Sequence, residues 1–142
     1  MILLDANILL RMSNGQDADY QRTLRVVFSY RKKELLAIAS QTIYEFWAVA
    51  TRAPGNNGLG MDASRASRWI RRYSRLFSVV ADPPGLVQAW HQLVAKFDVR
   101  GFRAHDARYA ALMQLLGMQT LMTYNVKHYV GFPITLIDPS QE

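Results

Sequence analysis

Five short, nearly continuous apolar runs, separated by longer segments of helical period, limit what this 142-residue chain can become. The runs are MILLDA (1–6), LLAIA (35–39), FSVVA (77–81), TLMTY (120–124) and ITLID (134–138). A strand with one wet face alternates apolar and polar residues, whereas a strand covered on both faces reads as one apolar stretch. Between the runs lie stripes at helical spacing: Tyr20, Leu24, Val27 and Phe28 in 17–32; Ile43, Phe46, Trp47 and Ala50 in 42–52; Ala66, Trp69, Ile70 and Tyr73 in 62–76; Leu86, Trp90, Leu93, Val94 and Phe97 in 86–97. A further helix over 105–116 is closed by Gly117. Strands alternating with helices imply right-handed crossovers, so the expected fold is α/β, three layers deep, with a central parallel sheet of four to five strands. Residues 1–142 read as a single domain, without repeats or low-complexity tracts. APGNNGLG (53–60) is its one flexible insertion, a loop or hairpin between two helices.

Half of the residues are hydrophobic, which is enough for one core in a chain of this length. The absence of cysteine excludes disulfides, a thiolate nucleophile and a zinc ribbon, and agrees with a reducing compartment. The first apolar run is broken by Asp5, leaving neither a basic leader nor a stretch of membrane-spanning length, so a soluble, cytoplasmic protein is expected. Seventeen Lys and Arg against eleven Asp and Glu give a net charge of +6, which favours a polyanionic partner.

In a doubly wound sheet, ligands sit beyond the carboxyl ends of the strands, where the strand order reverses. Asp5 stands where the first strand ends, and Glu45 a turn or so into the helix after the second. Asp106 opens the helix leading into TLMTY, and Asn125 follows that strand. All four therefore project toward one rim. Three carboxylates gathered there would repel one another, by about 4 kcal/mol per contact at roughly 4 Å and an effective dielectric near 20. Raised pKa values or a bound cation must compensate. An all-oxygen donor set suits Mg²⁺ or Mn²⁺, which can activate water and stabilise the leaving oxygen of a phosphodiester.

LLDANILL at the N-terminus, SQTIYEFWAVATR around Glu45, RAHDARYAALMQLLG with Asp106, and LMTYNVKHY near the end form an ordered set spanning almost the whole chain. Together they resemble the PIN domains, and among them the short stand-alone toxins of the VapC type. The resemblance implies a PIN-like α/β/α fold, Mg²⁺ or Mn²⁺ dependence and endonucleolytic cleavage of RNA. It further implies inhibition by a cognate antitoxin that wraps the enzyme, and a homodimer. By motif, Asp5, Glu45 and Asp106 match the metal-binding acids. The fourth acidic position falls on Asn125, an amide that keeps an oxygen but removes a charge, so one cation would be held better than two. Asn7 and Thr123 match the family's polar supports, which hydrogen-bond the acids or metal waters.

Each residue also has an ordinary structural explanation. Asp5 and Asn7 suit a turn, Glu45 follows Thr42 at capping-box spacing, and Asp106 suits a first helical turn. His105 is read as an exposed or N-cap residue, His91 as a partly buried packing residue, and Tyr20, Tyr44 and Phe102 as core or rim. Lys127 and His128 are candidates for touching phosphate. Arg65, Arg68, Arg72 and Arg75 recur on one side of 62–76, as a solvated face or a stripe for nucleic acid or antitoxin. Two competing functions are a phospho-acceptor receiver domain and a PIN-like module that binds RNA or a partner without cutting, the latter motivated by Asn125.

Overall fold

The computed structural model describes residues 1–142. Strands β1 (Ile2–Leu4), β2 (Leu36–Ala39), β3 (Ser78–Val80), β4 (Thr120–Met122) and β5 (Thr135–Ile137) form one sheet in the order β3-β2-β1-β4-β5, with every pair parallel. Ile2 lies opposite both Leu36 and Thr120, and Leu3 opposite Ala37 and Leu121, so the three central strands are in phase. Their alternation supplies two faces. Ile2, Leu4, Leu36, Ile38 and Met122 point to one, and Leu3, Ala37, Ala39 and Leu121 to the other.

Helices cover both faces. Against the first pack α1 (Ala6–Met12), α2 (Tyr20–Arg31), α3 (Ser40–Thr51) and α4 (Ala63–Leu76), contributing Ile8, Leu9, Val27, Phe46, Ala50, Ala66 and Tyr73. Against the second pack α5 (Leu86–Lys96) and α6 (Arg103–Leu115), through Leu86, Leu93, Tyr109, Leu112 and Met113. The result is the expected α/β/α fold with a five-stranded parallel sheet. Each fully buried Leu or Ile contributes about 1.5–3 kcal/mol, so the two faces together dominate the stability.

Several local expectations are corrected. β1 ends at Leu4, just before Asp5 as expected, but the apolar residues after it form an unanticipated short helix, α1 from Ala6, buried along Ile8, Leu9 and Met12. Edge strands β3 and β5 are only partly covered, and Val79 is 50% exposed, since an edge strand has a neighbour on one side only. The apolar stripes are narrower than their spacing suggested. Phe28, Trp47 and Phe97 are exposed because each falls at the margin of its stripe, while the core takes Val26, Phe46 and Leu93. His91, expected to pack beside Trp90, is exposed, and Tyr44 and Phe102 stand clear of the core at 68% exposure each.

The segment 53–60 is a tightly bonded reversal. Gly58 N–H donates to Ala53 O at 3.1 Å, Gly60 N–H to Arg52 O at 2.9 Å and Met61 N–H to Ala50 O at 2.8 Å, with Asn57 in the left-handed region. The receiver-domain alternative does not survive the topology. That fold orders its strands 2-1-3-4-5, and the acid after β3, Asp82, is held by Ser40 Oγ at 2.7 Å and Arg108 Nη2 at 2.6 Å.

A Cβ at Gly58 would lie 1.9 Å from the Arg52 carbonyl oxygen, a backbone atom, whereas one at Gly15 meets nothing within 4 Å. Gly58→Ala is expected to lower unfolding stability by about 1–3 kcal/mol and Gly15→Ala to change it by less than about 0.5 kcal/mol. Urea denaturation of the two variants checks the contrast.

Candidate active site at the switch point of the sheet

From β1 the chain builds outward through β2 and β3, then returns to β1's other side as β4 and β5. The order therefore reverses between β1 and β4, and a crevice opens beyond their carboxyl ends. Asp5 and Thr123 are the first residues past those two strands. Thr123 Oγ1 donates to Asp5 Oδ2 at 2.6 Å across the crevice, and Asp5 N–H donates to Met122 O at 3.0 Å.

Asn7 locks this junction. Its Nδ2 donates to Asp5 Oδ2 at 2.8 Å and to Thr123 Oγ1 at 3.0 Å, while its Oδ1 accepts the Tyr124 N–H at 3.1 Å. The Tyr129 hydroxyl adds a fourth side chain, 3.3 Å from Asp5 Oδ2. All three side-chain donors thus converge on Oδ2, which leaves Asp5 Oδ1 without a side-chain partner. Asp5, Asn7 and Thr123 are themselves buried.

Glu45 reaches the crevice from α3. That helix starts at Ser40, earlier than its apolar pattern suggested, and Thr42 serves its first turn: Oγ1 accepts the Ala39 N–H at 3.1 Å and donates to Leu4 O at 3.1 Å. Glu45 lies beyond that turn and takes no part in capping, which removes the capping-box explanation for it. Its Oε1 accepts from Gln41 Nε2 at 2.7 Å and its Oε2 from the Tyr109 hydroxyl at 3.3 Å.

Gln41 is itself held on the remaining sides. Nε2 also donates to His105 O at 2.8 Å, and Oε1 accepts from Arg108 Nη1 at 3.0 Å. Arg108 ends the chain of contacts on Asp82. Gln41, Arg108, Tyr109 and Tyr129 were not singled out from the sequence. Only Gln41 carried a readable signal, standing four residues before Glu45 on the same helical face.

Asp106 lies in the first turn of α6, its Oδ2 3.4 Å from His128 Nδ1. Arg103, close by, instead donates to His128 O at 3.1 Å and Val130 O at 2.9 Å, pinning the 125–130 turn against α6. No Lys or Arg forms an ion pair with Asp5, Glu45 or Asp106.

Burial raises the carboxyl pKa of all three. For Asp5 the hydrogen bonds from Thr123 and Tyr129 oppose it; for Glu45 the charges of Asp5 and Asp106 add to it; for Asp106, Asp5 adds while His128 opposes. The charge of Asp5 thus reaches both Glu45 and Asp106, and that of Asp106 reaches Glu45. As they stand, however, no three of the chain's His, Asp and Glu side chains are gathered closely enough to hold an ion. Asp106 Oδ2 is buried and makes no hydrogen bond, its one neighbouring polar group being His128 Nδ1 at 3.4 Å.

The other candidate residues are less closely joined. Asn125 is exposed at the rim, where its backbone N–H donates to Thr123 Oγ1 at 2.9 Å and its side chain bonds to nothing. Lys127 is exposed one turn on, and His128 stacks edgewise on Phe102 at 5.2 Å. Arg65, Arg68, Arg72 and Arg75 lie on α4 and share no contact with the carboxylates. A cleft of about 580 Å³, lined by Asp82, Leu86, Trp90, His105 and Arg108 among others, opens beside the three acids without including them.

No family model matches this chain, and no curated protein sequence matches it. Solved structures do. FitAcB from Neisseria gonorrhoeae is 17% identical, covering 100% of both chains with a TM-score of 0.71. VapC20 from Mycobacterium tuberculosis, a sarcin-ricin loop cleaving toxin, is 22% identical over 93% of this chain and 96% of its own, with a TM-score of 0.67. DNA-bound VapBC from Salmonella typhimurium is 16% identical over 97% of each, with a TM-score of 0.71. The fold is therefore PIN-like, shared with toxins of toxin-antitoxin systems.

Raised carboxyl pKa values mean that the metal-free folded protein binds protons more tightly than the unfolded chain. Its stability should fall as pH climbs above the unfolded values of 3.8 and 4.5 and through the raised ones. Melting curves in EDTA between about pH 5 and 8 should show this decline, and a shallower one for Asp106→Asn. Equal slopes in the two proteins would contradict the assignment. Separately, Thr123→Val leaves Asp5 Oδ2 without its shortest donor and should destabilise by about 1–3 kcal/mol, measurable by the same melts.

Proposed function

We propose that this protein is a metal-dependent endoribonuclease, the toxin of a toxin-antitoxin pair, and that Asp5, Glu45 and Asp106 hold a divalent cation, Mg²⁺ or Mn²⁺. The observation that carries the proposal is the buried Asp5 at the switch point with Glu45 and Asp106 close enough to feel its charge, each of the three with raised proton affinity and none paired to Lys or Arg. The donor set is all oxygen, the choice of hard cations, and the buried Asp106 Oδ2, which accepts no hydrogen bond, is an atom such a cation would satisfy. When bound, the cation supplies Lewis acidity toward water and a phosphodiester.

The protein's own groups have distinct tasks. Thr123, Asn7 and Tyr129 fix the Asp5 carboxylate through Oδ2 and leave Oδ1 without a side-chain partner. Gln41 and Tyr109 orient Glu45. Because all these donors to Asp5 and Glu45 are neutral, the two carboxylates keep their full negative charge when ionised. Asn125, Lys127 and His128 occupy the rim turn, where Lys127 and His128 can meet substrate phosphate and the Asn125 amide adds an uncharged oxygen. Similar solved structures include toxins in complex with antitoxins, which supports a protein inhibitor for this chain and, with the homodimer implied by the sequence resemblance, an assembly in the resting cell.

Cleavage of structured and unstructured RNA in Mg²⁺, Mn²⁺ and EDTA tests the reading. Cutting is expected in metal alone, reduced to the buffer level by Asp5→Asn or Asp106→Asn. Gln41→Ala, which frees Glu45 without removing an acid, should lower the rate about ten- to a hundredfold. RNA binding without cutting in any metal would instead favour a non-cleaving PIN-like module.

A further inference from the structure

Helix α4 presents an arginine face that nothing in the chain pairs. Arg65, Arg68, Arg71, Arg72 and Arg75 are all exposed, opposite the buried Ala66 and Tyr73. None forms an ion pair. The acids around it are engaged elsewhere: Asp62 Oδ1 accepts the Arg65 backbone N–H at 2.7 Å, Asp82 is held by Ser40 and Arg108, and Glu34, which lines a groove with Arg75, pairs with the terminal ammonium at 3.2 Å. Such contacts as the guanidinium groups make leave most of their donors free, with Arg68 Nη1 donating to Ser64 Oγ at 3.2 Å and Arg72 lying 5.2 Å from the Trp69 ring centre.

Stability does not call for this arrangement. Residues 63–76 contain no acid and no Lys, so like charges meet at 65/68, 68/71, 68/72, 71/75 and 72/75, spacings at which they oppose helix formation. Complementing the helix dipole accounts for Arg75 in the last turn and no other. Arg68, Arg71, Arg72 and Arg75 border a shallow groove of about 440 Å³, and Arg75 continues it toward Arg31, whose Nε donates to Leu76 O at 3.2 Å. Planar guanidinium groups in a row match phosphate oxygens, which they bind in pairs.

We propose that this face of α4 is a track for the phosphate backbone of single-stranded RNA, leading to the acidic pocket; the identity of the nucleic acid rests on the ribonuclease reading above. The helix spans roughly 21 Å, at 1.5 Å for each of its 14 residues, while strands of three or four residues span only about 10–13 Å. α4 leads into the amino edge of β3, and its length exceeds that of the strand. The track is therefore long enough to reach the level at which the crevice opens.

The test is binding of a fluorescent single-stranded RNA of about 20 nucleotides, in EDTA so that affinity is read without cutting. Arg68→Gln/Arg71→Gln is compared with Arg25→Gln/Arg100→Gln, which removes the same charge from exposed positions off the track. Melting temperatures verify that both variants fold. The track variant should bind roughly tenfold more weakly, and the slope of log affinity against log salt should shrink by about 1.4, for two phosphate contacts at 0.7 each. The control should stay within about twofold. Equal losses in both pairs, or undiminished binding by the track variant, would overturn the proposal. Parallel cleavage assays of the wild type in Mg²⁺ separate the two readings: weaker binding with no cutting keeps the track and removes the nuclease, and cutting with unchanged binding does the reverse.

Discussion

The hydrogen bond from the Thr123 hydroxyl to Asp5 Oδ2, 2.6 Å long, joins the carboxyl ends of β1 and β4 at the place where the sheet reverses its order. Much of the site depends on it. The same hydroxyl accepts from Asn7 Nδ2 and from the Asn125 N–H, so the start of α1, the end of β4 and the rim turn all meet at one oxygen atom. Asp5 can be buried there because its donors are supplied by neighbouring backbone and neutral side chains. The apolar strands deliver it, and the polar junction keeps it from being an unsatisfied charge in a dry interior.

This chain is basic overall and acidic at one point, and the two do not cancel locally. Arginines near the crevice are directed elsewhere: Arg103 to the carbonyls of His128 and Val130, Arg108 to Asp82 and Gln41. Five more face outward from α4. A field of this kind draws a polyanion to the surface, while the charge of the pocket is relieved by protons or by a bound cation. Burial and mutual repulsion both raise the proton affinity of Glu45 and Asp106, so the metal-free pocket is under electrostatic stress that binding would relieve.

What was legible in the sequence was the part governed by burial and topology. Continuous apolar runs announced parallel strands covered on both faces, and parallel strands place everything that follows a strand or opens a returning helix on one edge. That logic brought Asp5, Glu45, Asp106 and Asn125 to the same rim. It failed where one residue's orientation decides the outcome. Thr42 and Glu45 imitate a capping box, yet the helix starts at Ser40 and Thr42 bonds to Ala39 and Leu4 instead. Tyr129, whose hydroxyl touches Asp5, comes from a turn after β4 and leaves no periodic trace. Arg108 and Asp82, 26 positions apart, meet only through the tertiary fold. Val79 and Trp47 show the converse error, apolar residues in a proper pattern that the fold leaves in water.

Direct titration of the purified wild-type protein with Mn²⁺, followed by the loss of the free-ion electron paramagnetic resonance signal, tests the central claim before any substrate is added. A single saturable site is expected, from which Mg²⁺ displaces Mn²⁺ and which Asp5→Asn and Glu45→Gln each abolish. Binding that is undiminished in both variants, or absent from the wild type, would contradict the claim that these carboxylates close around a divalent cation.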